Sequence, residues 1–223
     1  MSNVDIDFMA LKKSHSVILP RLYMLSSGNS EQDNGVMLLE QLKRLPSDFP
    51  CMVQIREKHL GTTELLALTL KAVKTDLPAG TVLLINKHED IALAAGLQGV
   101  HLAENESFAE RITAVSSRLL KGCSVHSLSA AKIAENAGAD YLLYGPVFDT
   151  PSKRIYGAPQ GTENLRSICS ATNLPVYAVG GITYYNALEC LDAGAYGIAG
   201  ISAFSDYANL VENIEQFYRV LSL

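Results

Sequence analysis

Short apolar runs alternate with longer amphipathic segments along most of this chain. Short runs bounded by turn-forming residues predict buried strands, and the amphipathic segments predict helices. The predicted strands are Leu22 to Ser26, Cys51 to Arg56, Thr81 to Asn86, Gly99 to Leu102, Gly122 to Ser127, Tyr141 to Phe148, Pro175 to Gly180 and Gly197 to Ile201. The predicted helices are Gly35 to Leu45, Thr62 to Leu77, Asp90 to Ala95, Ser107 to Leu119, Ser129 to Ala137, Glu163 to Ala171, Tyr184 to Ala193 and Tyr207 to Leu221.

A repeated unit supports a parallel sheet. Three times an Ala-rich helix runs into a small-residue turn and then an apolar strand, at Ala95-Gly96, Ala137-Gly138 and Ala193-Gly194. Parallel strands need crossover helices, and right-handed crossovers close a sheet of this length. We therefore predict an α/β fold, a (β/α)8 TIM barrel, with a doubly wound open sheet as the alternative.

Length and composition fit a single domain. The chain has 223 residues, of which 48% are hydrophobic, and α/β barrels occupy this size range as one unit. We assign residues 21–223 to the barrel domain and residues 1–20 to an N-terminal extension whose function the sequence does not indicate. An extra helix in that extension would cap the bottom of the barrel.

Charge and hydropathy exclude several kinds of partner. The net charge is −5 and the Lys and Arg residues are scattered, so we expect no nucleic-acid partner. No apolar run approaches a membrane span, and the first residues are acidic where a signal peptide is basic, so we expect a cytoplasmic protein without a membrane partner. The four cysteines are far apart and are interpreted as reduced core thiols. The sequence leaves open whether the chain forms a homo-oligomer.

Polar residues at the carboxyl ends of predicted strands are the candidate site residues, because catalytic groups of such barrels lie at that face. Gln54, Arg56 and Lys58 alternate along one strand and would share a face, where an amide and two cations suit an anion. A structural ion pair of Arg56 with Glu57 or a neighbouring carboxylate is the alternative. Asn86 ends the next strand.

A second group of candidates suits a phosphate. Thr150, Ser152 and Lys153 follow the sixth strand with two hydroxyls and an ammonium, although a solvated loop is the alternative. The pair Gly180-Gly181 and the pair Ile201-Ser202 follow the last two strands, where free amides and a helix N-terminus can bind phosphate. An ordinary turn is the alternative for the glycines.

The fifth strand carries Ser124 and, two residues later, His126. By alternation both side chains face the same side, so His126 lies in the site if Ser124 does. A histidine can accept and donate a proton near neutral pH. A structural hydrogen bond to a neighbouring strand end is the alternative for His126, and we interpret His101 as a core residue.

Taken together, these motifs resemble the thiamine phosphate synthase and thiazole tautomerase (TenI) superfamily. The resemblance runs from about Arg21 to the C-terminus. It is carried by Gln-x-Arg-x-Lys at 54–58, Asn86, Gly99-Val100-His101-Leu102, Ser124, the segment 145–153, Gly180-Gly181-Ile182 and Ile201-Ser202. It implies a (β/α)8 barrel, an enzyme of thiamine biosynthesis and a thiazole phosphate as substrate.

Similarity to the synthase implies binding roles for most of these residues. Gln54, Arg56, Lys58 and Asn86 would hold an aminopyrimidine diphosphate, Ser124 and Lys153 would lie near the departing diphosphate, and Thr150, Ser152, Gly180, Gly181, Ile201 and Ser202 would hold the thiazole phosphate. The synthase pattern also implies Mg²⁺ bound by two Asp residues. This chain has Lys87 at the first position and Glu106 at the second. An ammonium cannot coordinate a cation, so Glu106 is the remaining metal ligand, and full replacement of Mg²⁺ by Lys87 is not expected.

Similarity to the tautomerase branch implies a different reaction. Ser124-Val125-His126-Ser127 resembles the segment of that branch in which the histidine moves a proton on the thiazole ring, without any cofactor. The loss of the metal Asp places tautomerisation through His126 slightly ahead of the alternative, coupling of the two substrates with release of diphosphate. Retention of Gln54, Arg56 and Lys58 favours that alternative. The third hypothesis is a non-catalytic regulator that binds thiazole phosphate.

Overall fold

The computed structural model describes residues 18–28, 35–150, 154, 158–206 and 208–222. Eight strands in this part of the chain pair in parallel with their sequence neighbours, and the last pairs with the first, so that the sheet closes into a barrel. The strands are β1 (Leu22–Leu25), β2 (Met52–Ile55), β3 (Val82–Asn86), β4 (Gly99–Leu102), β5 (Leu120–Val125), β6 (Tyr141–Tyr144), β7 (Val176–Val179) and β8 (Gly197–Gly200). The predicted (β/α)8 barrel is confirmed.

Helices follow the strands in turn. They are α1 (Val36–Lys43), α2 (Thr62–Val73), α3 (Glu89–Ala95), α4 (Phe108–Ala114), α5 (Leu128–Asn136), α6 (Gly161–Ala171), α7 (Ala187–Asp192), α8 (Ser202–Ser205) and α9 (Leu210–Leu221). Every predicted helix is present with shifted ends. The four-residue α8 is additional, since its single turn is too short to give a periodic pattern.

The sixth strand is shorter than predicted. It was expected to reach Phe148 but ends at Tyr144. Pro146, two residues after the last strand residue, has no N–H to donate to a ladder. The chain nevertheless stays beside β7, since the N–H groups of Val147 and Phe148 donate to the carbonyls of Val179 and Gly180 at 2.9 and 3.0 Å.

The apolar residues form two separate clusters, as expected for strands buried on both faces. The larger cluster lies between the strands and the helices and includes Leu22, Val53 and Ile85. The smaller cluster fills the barrel itself and contains Leu19, Tyr23, Leu25, Met52, Val82, Leu84, Leu120, Tyr141, Leu143, Tyr177 and Ala199. Tyrosines are thus a prominent part of the interior.

The bottom of the barrel is closed by hydrogen bonds to the segment before β1. The Tyr177 hydroxyl donates to the carbonyl of Pro20 at 2.7 Å, and the Tyr196 hydroxyl donates to that of Leu19. This leaves the carboxyl ends of the strands as the open face. Most of the predicted extension, residues 1–17, lies outside the described residues. None of the described helices has the length and apolar character to cross a bilayer.

Candidate functional site at the carboxyl ends of the strands

The end of β2 is fixed to the end of β1 through Ser26. The Ser26 N–H donates to the Gln54 carbonyl at 3.0 Å, and the Ser26 hydroxyl accepts from the Arg56 N–H at 2.8 Å. The Gln54 side chain is buried inside the barrel, where its amide donates to the Tyr23 hydroxyl at 3.0 Å. Gln54 and Arg56 therefore enter the barrel mouth from one strand, as alternation predicts, and the exposed Lys58 follows them at the rim.

Arg56 is a half-buried cation whose guanidinium has no hydrogen-bond or ion-pair partner among the described residues. Burial lowers the pKa of this guanidinium, and the nearby Glu57 carboxylate only partly offsets that effect. The Arg56 charge in turn lowers the pKa of His101, and Nη1 of Arg56 lies 3.7 Å from the position that a Cβ on Gly28 would take, beside the loop after β1. The proposed Arg56–Glu57 pair is thus an electrostatic contact and not a bonded ion pair. A desolvated guanidinium with no bonded partner among the described residues is well suited to receive an anionic ligand.

The β3 and β4 ends place the residues expected near a metal. Asn86 is the half-buried last residue of β3 and lies in register with His101 of β4. Lys87 follows it in the left-handed conformation, with a φ of 70°. The Lys87 and Glu106 side chains are both exposed, Glu106 in the loop before α4.

Ser124 lies on β5 and contacts the buried His101. The His101 Nε2 atom is 2.9 Å from the Ser124 hydroxyl, and Nδ1 is 3.1 Å from the Tyr141 hydroxyl. Desolvation by burial, together with the Arg56 charge, lowers the pKa of His101 to about 3. The prediction that His101 is a core residue is correct for its burial, but its ring also contacts a predicted site residue.

His126 follows the end of β5 and is exposed. Its Nδ1 atom lies 2.8 Å from the carbonyl oxygen of Gly145, and its backbone N–H donates to the Glu104 carboxylate at 2.7 Å. A carbonyl can only accept, so Nδ1 carries a proton, and in the neutral ring Nε2 keeps its lone pair. His126 thus makes the hydrogen bond to a neighbouring strand end that was the alternative interpretation, and this bond also leaves one nitrogen able to act as a base.

The glycine pair after β7 packs tightly against the loop after β6. Gly180 and Gly181 have φ values of 98° and 67°. A Cβ on Gly180 would lie 2.5 Å from the Pro146 Cβ, and one on Gly181 would lie 2.5 Å from the Asp149 carbonyl oxygen. The close approach that these glycines permit is therefore to the β6 loop. A phosphate at their amides stays a prediction.

The remaining phosphate candidates are placed in part. Thr150 is half-buried at the end of the described part of the β6 loop, and the predicted Ser152 and Lys153 lie outside the described residues. Ile201 follows β8, and Ser202 begins α8. With four residues, α8 is too short for the helix dipole that the prediction of a phosphate site invoked.

Comparison with known proteins gives the family. The family model described as thiamine monophosphate synthase matches residues 22–204, which includes all eight strands. The chain belongs to the thiamine monophosphate synthase family. It is accordingly an enzyme of thiamine biosynthesis, acting on small-molecule substrates.

Individual relatives of the family extend over most of the chain. A protein of Aquifex aeolicus named putative thiamine-phosphate synthase 2 is 39% identical over 186 residues, covering 83% of this chain and 98% of its own. A thiamine-phosphate synthase of Chloroflexus aurantiacus is 39% identical over 155 residues, covering 68% of this chain and 70% of its own. The solved structure of a thiamine phosphate pyrophosphorylase from Pyrococcus furiosus superposes with a TM-score of 0.76 at 29% identity, covering 91% of this chain and 95% of that one.

Family membership implies Mg²⁺, but the residues of this chain do not fit a magnesium site made of two carboxylates. Lys87 offers an ammonium where a carboxylate is needed. Glu104 bonds the His126 N–H, which leaves Glu106 as the carboxylate of the predicted set. No group of three or more His, Cys, Asp or Glu suited to a metal ion occurs among the residues that the structure describes.

Sequence reasoning missed two residues of the barrel interior and one residue of the loops above it. Tyr23 and Tyr141 lie at interior positions of their strands and bond each other at 3.0 Å, and period-two alternation could have placed them there. Glu104, which ties the β4 loop to the β5 loop, carries no such signal, because a loop acid gives no periodic pattern.

Proposed function

We propose that this chain is a thiamine-phosphate synthase, which couples an aminopyrimidine diphosphate to a thiazole phosphate. The observation that carries the proposal is the half-buried guanidinium of Arg56, which lacks a partner in the described part of the chain and follows the buried Gln54 by two residues at the end of β2. An enzyme that isomerises the thiazole alone has less need of a second anion site. The names of the relatives from Aquifex and Chloroflexus agree with this choice.

The coupling is a substitution at the pyrimidine methylene carbon. The bond from that carbon to the diphosphate oxygen breaks and diphosphate leaves with the electron pair, while the thiazole nitrogen donates its lone pair to form the new carbon–nitrogen bond. Negative charge collects on the departing oxygens, so a cation and a hydrogen-bond donor placed there lower the barrier. Arg56 supplies the cation and the Ser124 hydroxyl the donor, with the exposed Lys58 and Lys87 adding positive charge at the rim.

The proposal is tested by assaying thiamine phosphate formation with Arg56→Met. We expect the rate to fall by about 100-fold, since loss of a charged hydrogen bond to a developing anion has this effect in comparable sites. Arg166→Met is the matched control, because Arg166 donates to the Asp192 carbonyl on the outer helices at 2.7 Å. Wild-type protein that forms no thiamine phosphate from both substrates, with ample Mg²⁺, would refute the proposal.

A second candidate, thiazole tautomerase activity, is favoured by the geometry of His126. Donation from Nδ1 to the Gly145 carbonyl leaves Nε2 of an exposed imidazole as a proton acceptor. A ring proton of the non-aromatic thiazole phosphate carboxylate would pass to Nε2 and return at another ring atom, with no net gain or loss. The replacement of the metal-binding Asp by Lys87 is no obstacle to this reaction.

The two candidates separate in a crossed experiment. His126→Ala should lower the tautomerase rate by about 100-fold or more, the usual contribution of a general base, and should leave coupling within about threefold. Arg56→Met should do the reverse. A His126→Ala variant with full tautomerase rate would remove the second candidate.

The remaining hypothesis, a non-catalytic regulator, has its own signature. It requires thiazole phosphate to bind at micromolar concentration while neither reaction proceeds. Calorimetry with thiazole phosphate, run beside both activity assays on the same preparation, distinguishes it.

A further inference from the structure

We infer that the buried amide of Gln54 sets the direction of a hydrogen-bond chain through the barrel, which ends at Ser124 and makes its hydroxyl a donor towards the mouth. The chain, called the interior chain below, passes through Tyr23, Tyr141 and His101. The identity of the anion that Ser124 would bind rests on the proposed function. The direction of the hydrogen bonds in the interior chain does not rest on it.

Four consecutive contacts form the interior chain. The Gln54 amide lies 3.0 Å from the Tyr23 hydroxyl, which lies 3.0 Å from the Tyr141 hydroxyl. From there the chain reaches His101 Nδ1 at 3.1 Å, and His101 Nε2 reaches the Ser124 hydroxyl at 2.9 Å. It thus crosses the barrel from β2 to β5 and joins Gln54, a predicted substrate-binding residue, to Ser124, a predicted catalytic residue.

The direction follows from counting protons. The Gln54 NH₂ group can only donate, so the Tyr23 oxygen accepts and its single proton goes to Tyr141. Tyr141 then donates to Nδ1 of His101. A neutral imidazole has one proton, which must now be on Nε2 and is donated to Ser124. Tyr23, Tyr141 and the neutral His101 ring each have one proton to donate, so no single hydrogen bond can reverse its direction without the others.

The environment keeps the interior chain ordered. Gln54 and His101 are buried polar residues, and the Tyr23 and Tyr141 rings meet edge to face with centroids 5.8 Å apart. In the described part of the structure, the hydroxyls of Tyr23 and Tyr141 have no hydrogen-bond partners other than members of the interior chain. The low pKa of His101 keeps its ring neutral, which the proton count requires.

The direction of the interior chain determines what the Ser124 hydroxyl can do. Its oxygen already accepts the His101 proton, and the described residues contain no acceptor for its own proton. That proton is therefore available to an oxygen of a bound anion, such as the leaving diphosphate. Tyr23, Tyr141 and His101 are buried and act as positioning residues, since they decide whether Ser124 donates or accepts.

Nitrogen NMR of the full-length protein labelled with ¹⁵N-histidine tests the direction without substrate. We expect His101 as the neutral tautomer with its proton on Nε2. A neutral ring with the proton on Nδ1 means that the chain runs the opposite way and overturns the inference. A charged ring at neutral pH overturns it as well.

A matched pair of variants tests the link to Ser124. Tyr141→Phe removes the donor to Nδ1, so we expect a mixture of the two His101 tautomers and about threefold to tenfold weaker binding of inorganic diphosphate by calorimetry. Tyr177→Phe is the control. This variant also removes a buried tyrosine hydroxyl, and the centroid of its ring lies 5.6 Å from that of Tyr141. The Tyr177 hydroxyl, however, donates to the carbonyl of Pro20, which is not part of the interior chain.

The control should leave both the tautomer and the diphosphate affinity unchanged. Equal effects of the two variants on diphosphate binding would reduce Tyr141 to a packing residue and overturn the inference. If Tyr141→Phe does not fold, the tautomer of the wild-type ring decides alone. An Nε2-protonated ring in a protein that forms no thiamine phosphate would refute the proposed function and leave the direction of the chain standing.

Discussion

The backbone N–H of Lys87 donates to the carbonyl oxygen of His101 at 2.9 Å, and this bond fixes the chain just beyond β3. Lys87 has a φ of 70°, a backbone conformation that residues other than glycine adopt at a penalty of roughly 1 kcal/mol. Lys87→Gly should therefore raise the free energy of unfolding by about 0.5 kcal/mol, after allowing for the greater flexibility of unfolded glycine. Urea unfolding measures the change.

Lys74 provides the control for this prediction. It ends α2 with a φ of −82°, an ordinary value for any residue. Lys74→Gly should therefore lower the free energy of unfolding, because it adds flexibility to the unfolded chain without relieving strain. Two variants that shift stability in the same direction would contradict the account of Lys87.

The glycine pair after β7 gives a second prediction. Gly180→Ala places a methyl group 2.5 Å from the Pro146 Cβ at a φ of 98°, so it combines a steric clash with backbone strain. We expect a loss of about 3 kcal/mol in the free energy of unfolding. Gly138→Ala isolates the strain, since its φ is 88° and no atom lies within 4 Å of the added Cβ. That control should lose about 1 kcal/mol, and equal losses would mean that contact with Pro146 is unimportant.

The buried His101 predicts how stability depends on pH. Its pKa is about 3 in the folded protein and about 6.5 in the unfolded chain. Below pH 6.5 the unfolded chain binds a proton that the folded chain does not bind. The free energy of unfolding therefore decreases as the pH is lowered from about 6.5 to about 3. His101→Gln should flatten the slope between pH 6 and 4 by up to about 1.4 kcal/mol per pH unit.

Denaturant unfolding at several pH values measures this slope. Thr69→Val serves as the control, because Thr69 is likewise a buried polar residue but carries no titratable group. It should leave the slope as it is in the wild-type protein. A His101→Gln variant that follows the wild-type curve would show that the ring is not held neutral in the folded state.

The contact between Glu104 and the His126 N–H predicts a positioning effect. Glu104→Ala removes the acceptor of a 2.7 Å hydrogen bond, so the β5 end should loosen and the tautomerase rate, if the chain has that activity, should fall by about tenfold. Glu104→Gln keeps an oxygen acceptor and should restore most of the rate. If both variants lowered the rate by the same factor, the loss would come from the charge of Glu104 and not from the hydrogen bond.

The fold could be predicted because each strand and helix carries its own periodic signal. Buried runs such as β4 and Ala-rich helices such as α5 are recognisable without knowledge of their neighbours. The ends were less predictable. Phe148 is predicted as part of β6 because it is apolar, and its N–H does bond the β7 end, yet Pro146 ends the regular ladder before it.

The site was predictable only where alternation and strand ends decide it. Gln54, Arg56 and Ser124 enter the barrel as their spacing indicates. The interior chain could not be predicted, because its links join residues 23 to 118 positions apart in the sequence, and no local pattern records such a meeting. His101 was interpreted as a packing residue for this reason.

The contacts of Gly180 with Pro146 and of Gly181 with Asp149 have a bearing on any attempt to re-engineer specificity. Because backbone and ring atoms of the two segments interlock with no space for a methyl group, transplanting the strand-six segment of a homologue would carry a steric mismatch unless its strand-seven partner came with it. Substrate preference in this barrel should therefore be exchanged as a two-segment cassette.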